Sequence, residues 1–243
     1  MPDGGPTTLI DSPPTRRRAV VDLTHALVPG QVPACHGHPC YSASPCLSLE
    51  RGDFANVHGL TLGTHTGTHI DAPYHFFADG VTVDRLDLSL LASVPAVVAD
   101  LRTKGPHERI VWDDLADAAD GIKRSGARVV LFCTGWSRRW NKPDYSKHPF
   151  LDADAAWRLM EMGVKVFGLD TMSPDKITED EECADVHRVV LGSGGIIVEN
   201  LTNLETLVER RWTRVMVSML PLNLAGCDGS PVRAVAWEDL GWQ

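Results

Sequence analysis

Residues 65–75 read HTGTHIDAPYH. His65, Gly67, His69, Asp71, Pro73 and His75 all fall on odd positions, and an extended chain turns alternate side chains to one face, so this set shares a face. A straight strand would still hold His65 and His75 roughly 33 Å apart, at about 3.3 Å per residue, too far for one site. The chain therefore has to bend. Gly67 admits unusual backbone angles, and Pro73 fixes its own φ while keeping Ala72 extended. A helix presenting two histidines four apart is the poorer reading, because Thr-Gly-Thr between His65 and His69 disfavours it. Singly, each histidine suits a structural place in a loop. Together, imidazoles and a carboxylate on one bent strand are the donors that Zn²⁺ and Mn²⁺ prefer, with a position left open for water.

Outward from this motif, AVVDLT (19–24) reads as a short strand, and the Pro- and Cys-rich VPGQVPACHGHPCYSASPC (28–46) as loop. Downstream, VPAVVADL (94–101), RVVLFC (128–133), VKVFGLD (164–170), GIIVENL (195–201) and TRVMVSMLPL (213–222) have the apolar runs of buried strands. WDDLADAADGIKR (112–124) has helical spacing. LDADAAWRLMEMG (151–163) begins on an Asp cap and ends on Gly163, with Trp157 and Met160 on one face, and NLETLVE (203–209) is a helical turn. The expected fold is α/β, a single domain (19–243) with a mixed sheet and packed helices and a β-rich N-terminal part, preceded by a loosely attached tail at 1–18. The loop-rich stretch 25–93 needs something to order it, and a metal site would do so.

The 243 residues are 43% hydrophobic and 23% charged, with a formal net charge of −9. Such a field argues against nucleic acid and anionic membranes as partners and leaves a small molecule as the expected ligand. No run approaches the roughly 20 apolar residues of a membrane span, and MPDGGPTTLIDSPPTRRR lacks the apolar core of a secretory signal, so the cytoplasm is the expected compartment. The six cysteines, at 35, 40, 46, 133, 183 and 227, form no dense framework and are expected as reduced thiols.

HTGTHIDAPYH matches in full the H-x-G-T-H-x-D-x-P-x-H signature of the metal-dependent cyclase family, which includes bacterial kynurenine formamidases and isatin hydrolase. VVDLTHALVPGQVP, LFCTGWSRRW, VKVFGLDTMS, HRVVLGSGGIIVENL and GCDGSPVRAVA resemble further family segments, so the likeness spans about residues 19 to 238. It implies a swivelling β/β/α-like fold. It also implies His65, His69 and Asp71 as metal ligands, His75 as general acid and base, and a second pair of ligands in His187 and Glu199. In the two-metal form Asp71 and Glu199 would bridge. One or two Mn²⁺ or Zn²⁺ per chain and a homodimer or homotetramer are further implications. The implied activity is hydrolysis of an amide, lactam, ester or lactone of a small carbonyl compound, with arylformamidase or a Lewis-acid cyclase or dehydratase as alternatives.

The residues of the second segment agree. His187 alone reads as a loop histidine, but Glu199 closes the apolar run GIIV, where a carboxylate entering a buried place needs a partner and a cation is the least costly one. Kynurenine formamidases resemble PVWPGDP where this chain has PACHGHP, which puts Cys35 at the aromatic position and His38 at the acidic one and disfavours formylkynurenine as substrate. Cys35, His38 and Trp136 are candidate substrate-facing residues. Four ligands packed as tightly as Cys35, His36, His38 and Cys40 cannot easily turn onto one tetrahedral ion. Asp170 and Asp228 read as turn residues or supports of the site, and Cys133 and Cys227 as inert thiols.

Overall fold

The computed structural model describes residues 19–32, 37–177 and 184–240. The tail at 1–18, Cys35, His36 and Cys183 lie outside the described residues. In chain order the elements are β1 (Val20–Asp22), β2 (Ser42–Leu47), β3 (Val57–Thr61), β4 (His69–Asp71), β5 (Val94–Asp100), β6 (Arg109–Ile110), α1 (Ala116–Ser125), β7 (Val129–Cys133), β8 (Phe150–Leu151), α2 (Ala153–Glu161), β9 (Val166–Leu169), α3 (Asp185–Gly192), β10 (Ile196–Glu199), α4 (Leu204–Glu209), β11 (Val215–Pro221) and β12 (Gly229–Glu238).

The main sheet runs β1-β12-β11-β5-β7-β9-β10-β4, and β12 pairs with β4 as well, so seven strands close into a ring with β1 added outside it on β12. β5, β7, β9 and β10 are parallel to one another, and the remaining pairings are antiparallel. The sheet is therefore mixed, as expected, and its closing strand is the three-residue centre of the histidine motif. Period-two alternation sorts the side chains into two cores. Val129, Leu131, Cys133, Val166, Val198, Val217, Met219, Ala234 and Ala236 fill the ring together with Ile70 and Ala72. Val130, Phe132, Phe167 and Ile197 face outward against Ala118 and Ile122 of α1, Ala155, Ala156 and Leu159 of α2, and Val186 and Val190 of α3. The rings of Phe132 and Phe167 meet at 5.5 Å and are fully buried, each worth about 1.5–3 kcal/mol in transfer terms.

The helices sit where their ends can be satisfied. Asp152 caps α2 by accepting from the Asp154 amide at 2.9 Å. Asp117 in the first turn of α1 and Lys123 and Arg124 in its last complement the helix dipole. No α-helix precedes Ala116 among the described residues, in keeping with a β-rich first half. None of the described helices is long and apolar enough to cross a membrane.

Three expectations are corrected. The stretch read as loop to residue 46 contains β2, which pairs with β3 as a separate hairpin; its Ser-, Pro- and Cys-rich sequence hides the strand because both faces are largely exposed and Pro45 sits at a register shift. His187 lies on a helix rather than a loop, since α3 is only eight residues long and valine-rich, which masks its period. Trp157 is 49% exposed, and the buried face of α2 is formed by Ala155, Ala156, Leu159 and Met160.

Candidate metal centre

On β4, Ile70 points into the ring, so His69 and Asp71 point out of it. The neighbouring β10 pairs Glu199 with His69 and Ile197 with Asp71, which brings Glu199 to the same outer face. Gly67 makes the bend before β4: its φ is +67°, a region that side-chain-bearing residues rarely adopt, and a Cβ there would stand 2.3 Å from Leu27 Cδ2, so any larger residue would be strained and would displace the Leu27 side chain. After β4, Pro73 opens a 3₁₀ turn, Pro73–His75, that folds His75 back toward His65, with ring centroids 4.0 Å apart. α3 lies across the outer face and supplies His187. The alternation and both bends inferred from the motif are present.

Each of the three histidines nearest the buried carboxylates has one nitrogen engaged by an acceptor. His65 Nε2 meets Asp228 Oδ2 at 2.7 Å, His69 Nδ1 donates to the Gly67 carbonyl at 2.8 Å, and His187 Nδ1 meets Asp175 Oδ2 at 2.7 Å. The other nitrogens converge. His65 Nδ1 is 2.6 Å from Asp71 Oδ1, His69 Nε2 is 3.2 Å from Asp71 Oδ1 and 3.3 Å from Glu199 Oε2, and His187 Nε2 is 3.3 Å from Glu199 Oε1 and 3.8 Å from Asp71 Oδ2. Among the described residues the ligand atoms converge in three groups: His65, His69 and Asp71; Asp71, His187 and Glu199, which shares Asp71 with the first; and His65, His75 and Asp228.

The electrostatics follow from burial against paired charge. Burial would lower the His69 pKa, but Asp71 and Glu199 raise it to about 10. His187 is likewise raised, by Asp175, Asp71 and Glu199 against burial, and His65 by Asp71 and Asp228 against burial. Burial would raise Asp71, yet His69, His187 and His65 hold it well below the usual carboxylate range. Asp228 is lowered to about 2, burial being outweighed by His65. His75 goes the other way, lowered first by burial.

This donor set fits a divalent cation. An ionised carboxylate only accepts hydrogen bonds, so His65, held between Asp71 and Asp228, carries either two protons or one proton and a cation at Nδ1. Asp71 Oδ2 and Glu199 Oε1 are buried and have no hydrogen-bond partner. A buried oxygen in that state needs a positive ligand, and imidazole with carboxylate is the chemistry of borderline ions.

A cavity of about 190 Å³ opens onto the cluster, lined by His38, His65, His69, His75, Phe76, Met172, Ser173, Ile177, His187, Glu199 and Asn200. Phe76 stacks on His187 at 4.8 Å. A larger groove of about 650 Å³ between α1 and α4 contains none of the histidines. His65, His69, Asp71, His75, His187 and Glu199 thus come together, and His38 stands at the cavity wall. Trp136 is not among the described lining residues. Asp170 accepts from the Thr134 and Gly135 amides and turns the chain there, and the buried indole is tied to the Tyr145 carbonyl at 2.8 Å.

Sequence reasoning did not single out Asp175 or Asn200. Asp175 receives the Val186 and His187 amides as well as His187 Nδ1, so it starts α3 and orients its histidine together. Asn200 donates to the Gly67 carbonyl that also holds His69 and accepts from the Tyr145 hydroxyl. Neither belongs to a recognisable spacing.

Fold and cluster together define an α/β protein with a histidine and carboxylate centre set into the wall of a closed mixed sheet. Residues 21–176 match the model of the Cyclase family, described as "Putative cyclase". The chain is 32% identical over 219 residues to a kynurenine formamidase of Delftia acidovorans, covering 90% of this chain and 97% of that one. It is 31% identical over 227 residues to cyclase-like protein 2 of Oryza sativa subsp. japonica, covering 90% and 79%. Among solved structures, isatin hydrolase A from Ralstonia solanacearum matches with a TM-score of 0.76 at 25% identity, over 91% of this chain and 92% of that one. The chain belongs to the Cyclase family.

Proposed function

We propose that this protein is a metal-dependent hydrolase that adds water across the C–N or C–O bond of a small amide, lactam, ester or lactone. The observation that carries the reading is the pair of buried oxygens without a hydrogen-bond partner, Asp71 Oδ2 and Glu199 Oε1, both faced by His187 Nε2, while His65 and His69 face the other oxygens of the same two carboxylates. These five residues would hold one or two ions, Mn²⁺ or Zn²⁺. Such an ion supplies Lewis acidity, which makes water nucleophilic near neutral pH and polarises a carbonyl. His75 takes the proton of the attacking water and returns it to the leaving nitrogen or oxygen, yielding a carboxylic acid and an amine or alcohol. Phe76, Met172 and Ile177 give the substrate an apolar wall. The relatives named kynurenine formamidase and isatin hydrolase support the class.

The cavity also speaks to the substrate. Its described lining contains no lysine or arginine, and neither do the sequences of 33–36 and 178–183, which adjoin the lining residues His38 and Ile177. An amino-acid head group would find no lysine or arginine for its carboxylate, so an uncharged compact carbonyl compound, a lactam or lactone, fits better than formylkynurenine. Assembly into a homodimer or homotetramer is part of the same reading.

The test is a panel of formamides, isatin-like lactams and lactones run in ¹⁸O water with Zn²⁺ or Mn²⁺. Product carrying one solvent oxygen is expected, and His75→Ala should lose about 10²–10⁴-fold in kcat with metal content unchanged. Full turnover after the ion has been stripped would falsify the reading.

A further inference from the structure

Asp228 stands in the loop that leads into β12, and its backbone is fixed by the sheet: its carbonyl accepts the Ala72 amide at 2.9 Å, and Gly229 beside it pairs with Asp71. The approach is close. A Cβ on Gly229 would lie 2.7 Å from the Ile70 carbonyl oxygen and 2.9 Å from His65 Cε1, so only glycine lets the loop press its aspartate against the His65 ring. One oxygen, Asp228 Oδ2, then meets two imidazoles, His65 Nε2 at 2.7 Å and His75 Nδ1 at 3.1 Å.

We infer that Asp228 is the positioning residue that sets the tautomer of His75: by accepting from Nδ1–H it leaves Nε2 as the unprotonated nitrogen of a ring that lines the cavity. The logic is that of acceptor capacity. A carboxylate has no proton to give, so a neutral His75 bound to it must carry its proton on Nδ1. An imidazole free in water favours the opposite form, with Nε2 protonated and useless as a base. Because the same oxygen holds His65, one side chain registers the proton-transferring histidine against the ligand cluster. Such a support acts through His75 and touches no reacting atom. The inference rests on the assignment of His75 as general base, and its test is chosen so that the two can fail separately.

The measurement is the ¹⁵N NMR spectrum of His75 in the full-length Zn²⁺-loaded protein, followed by steady-state kinetics at saturating Zn²⁺. In the unaltered protein His75 is expected as the Nδ1–H tautomer; finding Nε2–H overturns the proposal without recourse to any variant. In Asp228→Asn the population is expected to move toward Nε2–H, with kcat down about 10–100-fold, KM within about threefold and Zn²⁺ content retained. An unchanged tautomer with kcat within about twofold also overturns it. Should His75→Ala keep its turnover, the general-base assignment falls, while the spectrum still decides what Asp228 does.

Discussion

In β7 every side chain from Val129 to Cys133 is buried and apolar, and its outward face meets the apolar flanks of α1 and α2. In β4, separated from β7 by β9 and β10, all three residues are buried, yet the outward face carries His69 and Asp71 beneath α3. Both strands belong to one closed sheet and both lie under helices. What separates them is how burial is made tolerable: by dispersion and exclusion of water along β7, and by charges that need a counter-ion along β4. Burial alone marks a core. Burial with ionisable groups whose oxygens lack partners marks a site.

The contrast can be tested most severely by truncating one residue in each strand. Leu131→Ala should cost about 2–5 kcal/mol of stability whether or not Zn²⁺ is present. Asp71→Ala should cost about 3–5 kcal/mol, by leaving buried imidazoles without their anion, and should also abolish the rise in Tm expected of the unaltered protein on adding Zn²⁺. Thermal melts with and without the ion measure both, and equal Zn²⁺ responses from the two variants would erase the distinction. A smaller effect is expected one shell out: Asp175→Asn should weaken Zn²⁺ affinity about 10–100-fold by loosening His187, read by titration against a chelator, and an unchanged affinity would confine Asp175 to starting α3.

The mildest effect involves a half-buried histidine on which burial outweighs the nearby Glu205 carboxylate. His25 stacks on Trp140 at 4.1 Å, its Nε2 has no partner, and burial lowers its pKa to about 4. The unfolded chain, with a pKa near 6.5, binds the proton first on acidification, so stability falls as pH drops from about 6.5 toward 4. The loss should be on the order of 1 kcal/mol after allowance for solvent at the ring edge. His25→Phe should flatten that part of the profile of Tm against pH; an identical acid slope in the variant would show that the ring takes no part.

Much of this was legible because it is local. Alternation along β4 and the bends at Gly67 and Pro73 are written in eleven consecutive residues, and the apolar runs of β5, β7, β9, β10 and β11 are long enough to show. What stayed hidden depends on distant partners. Nothing in three residues of β4 says that they pair with both β10 and β12, because ring closure is decided by register across more than 150 residues. Asp175 acquires its importance only when α3 begins on it. The β2–β3 hairpin has no buried face, and with none there is no hydrophobic period to read. Trp136 stands apart from the histidine cavity: its ring is buried, tied to the Tyr145 carbonyl, with the Arg139 guanidinium 4.6 Å from its centroid.

The double pairing of β4 has one more consequence. The strand that shuts the ring is also the one that carries His69 and Asp71, so a fluctuation that unzips the seam would pull two donors off an ion held there, and such an ion would rivet the seam. In a loaded protein, breathing of the scaffold and loss of the cation would then be a single event viewed from its two sides.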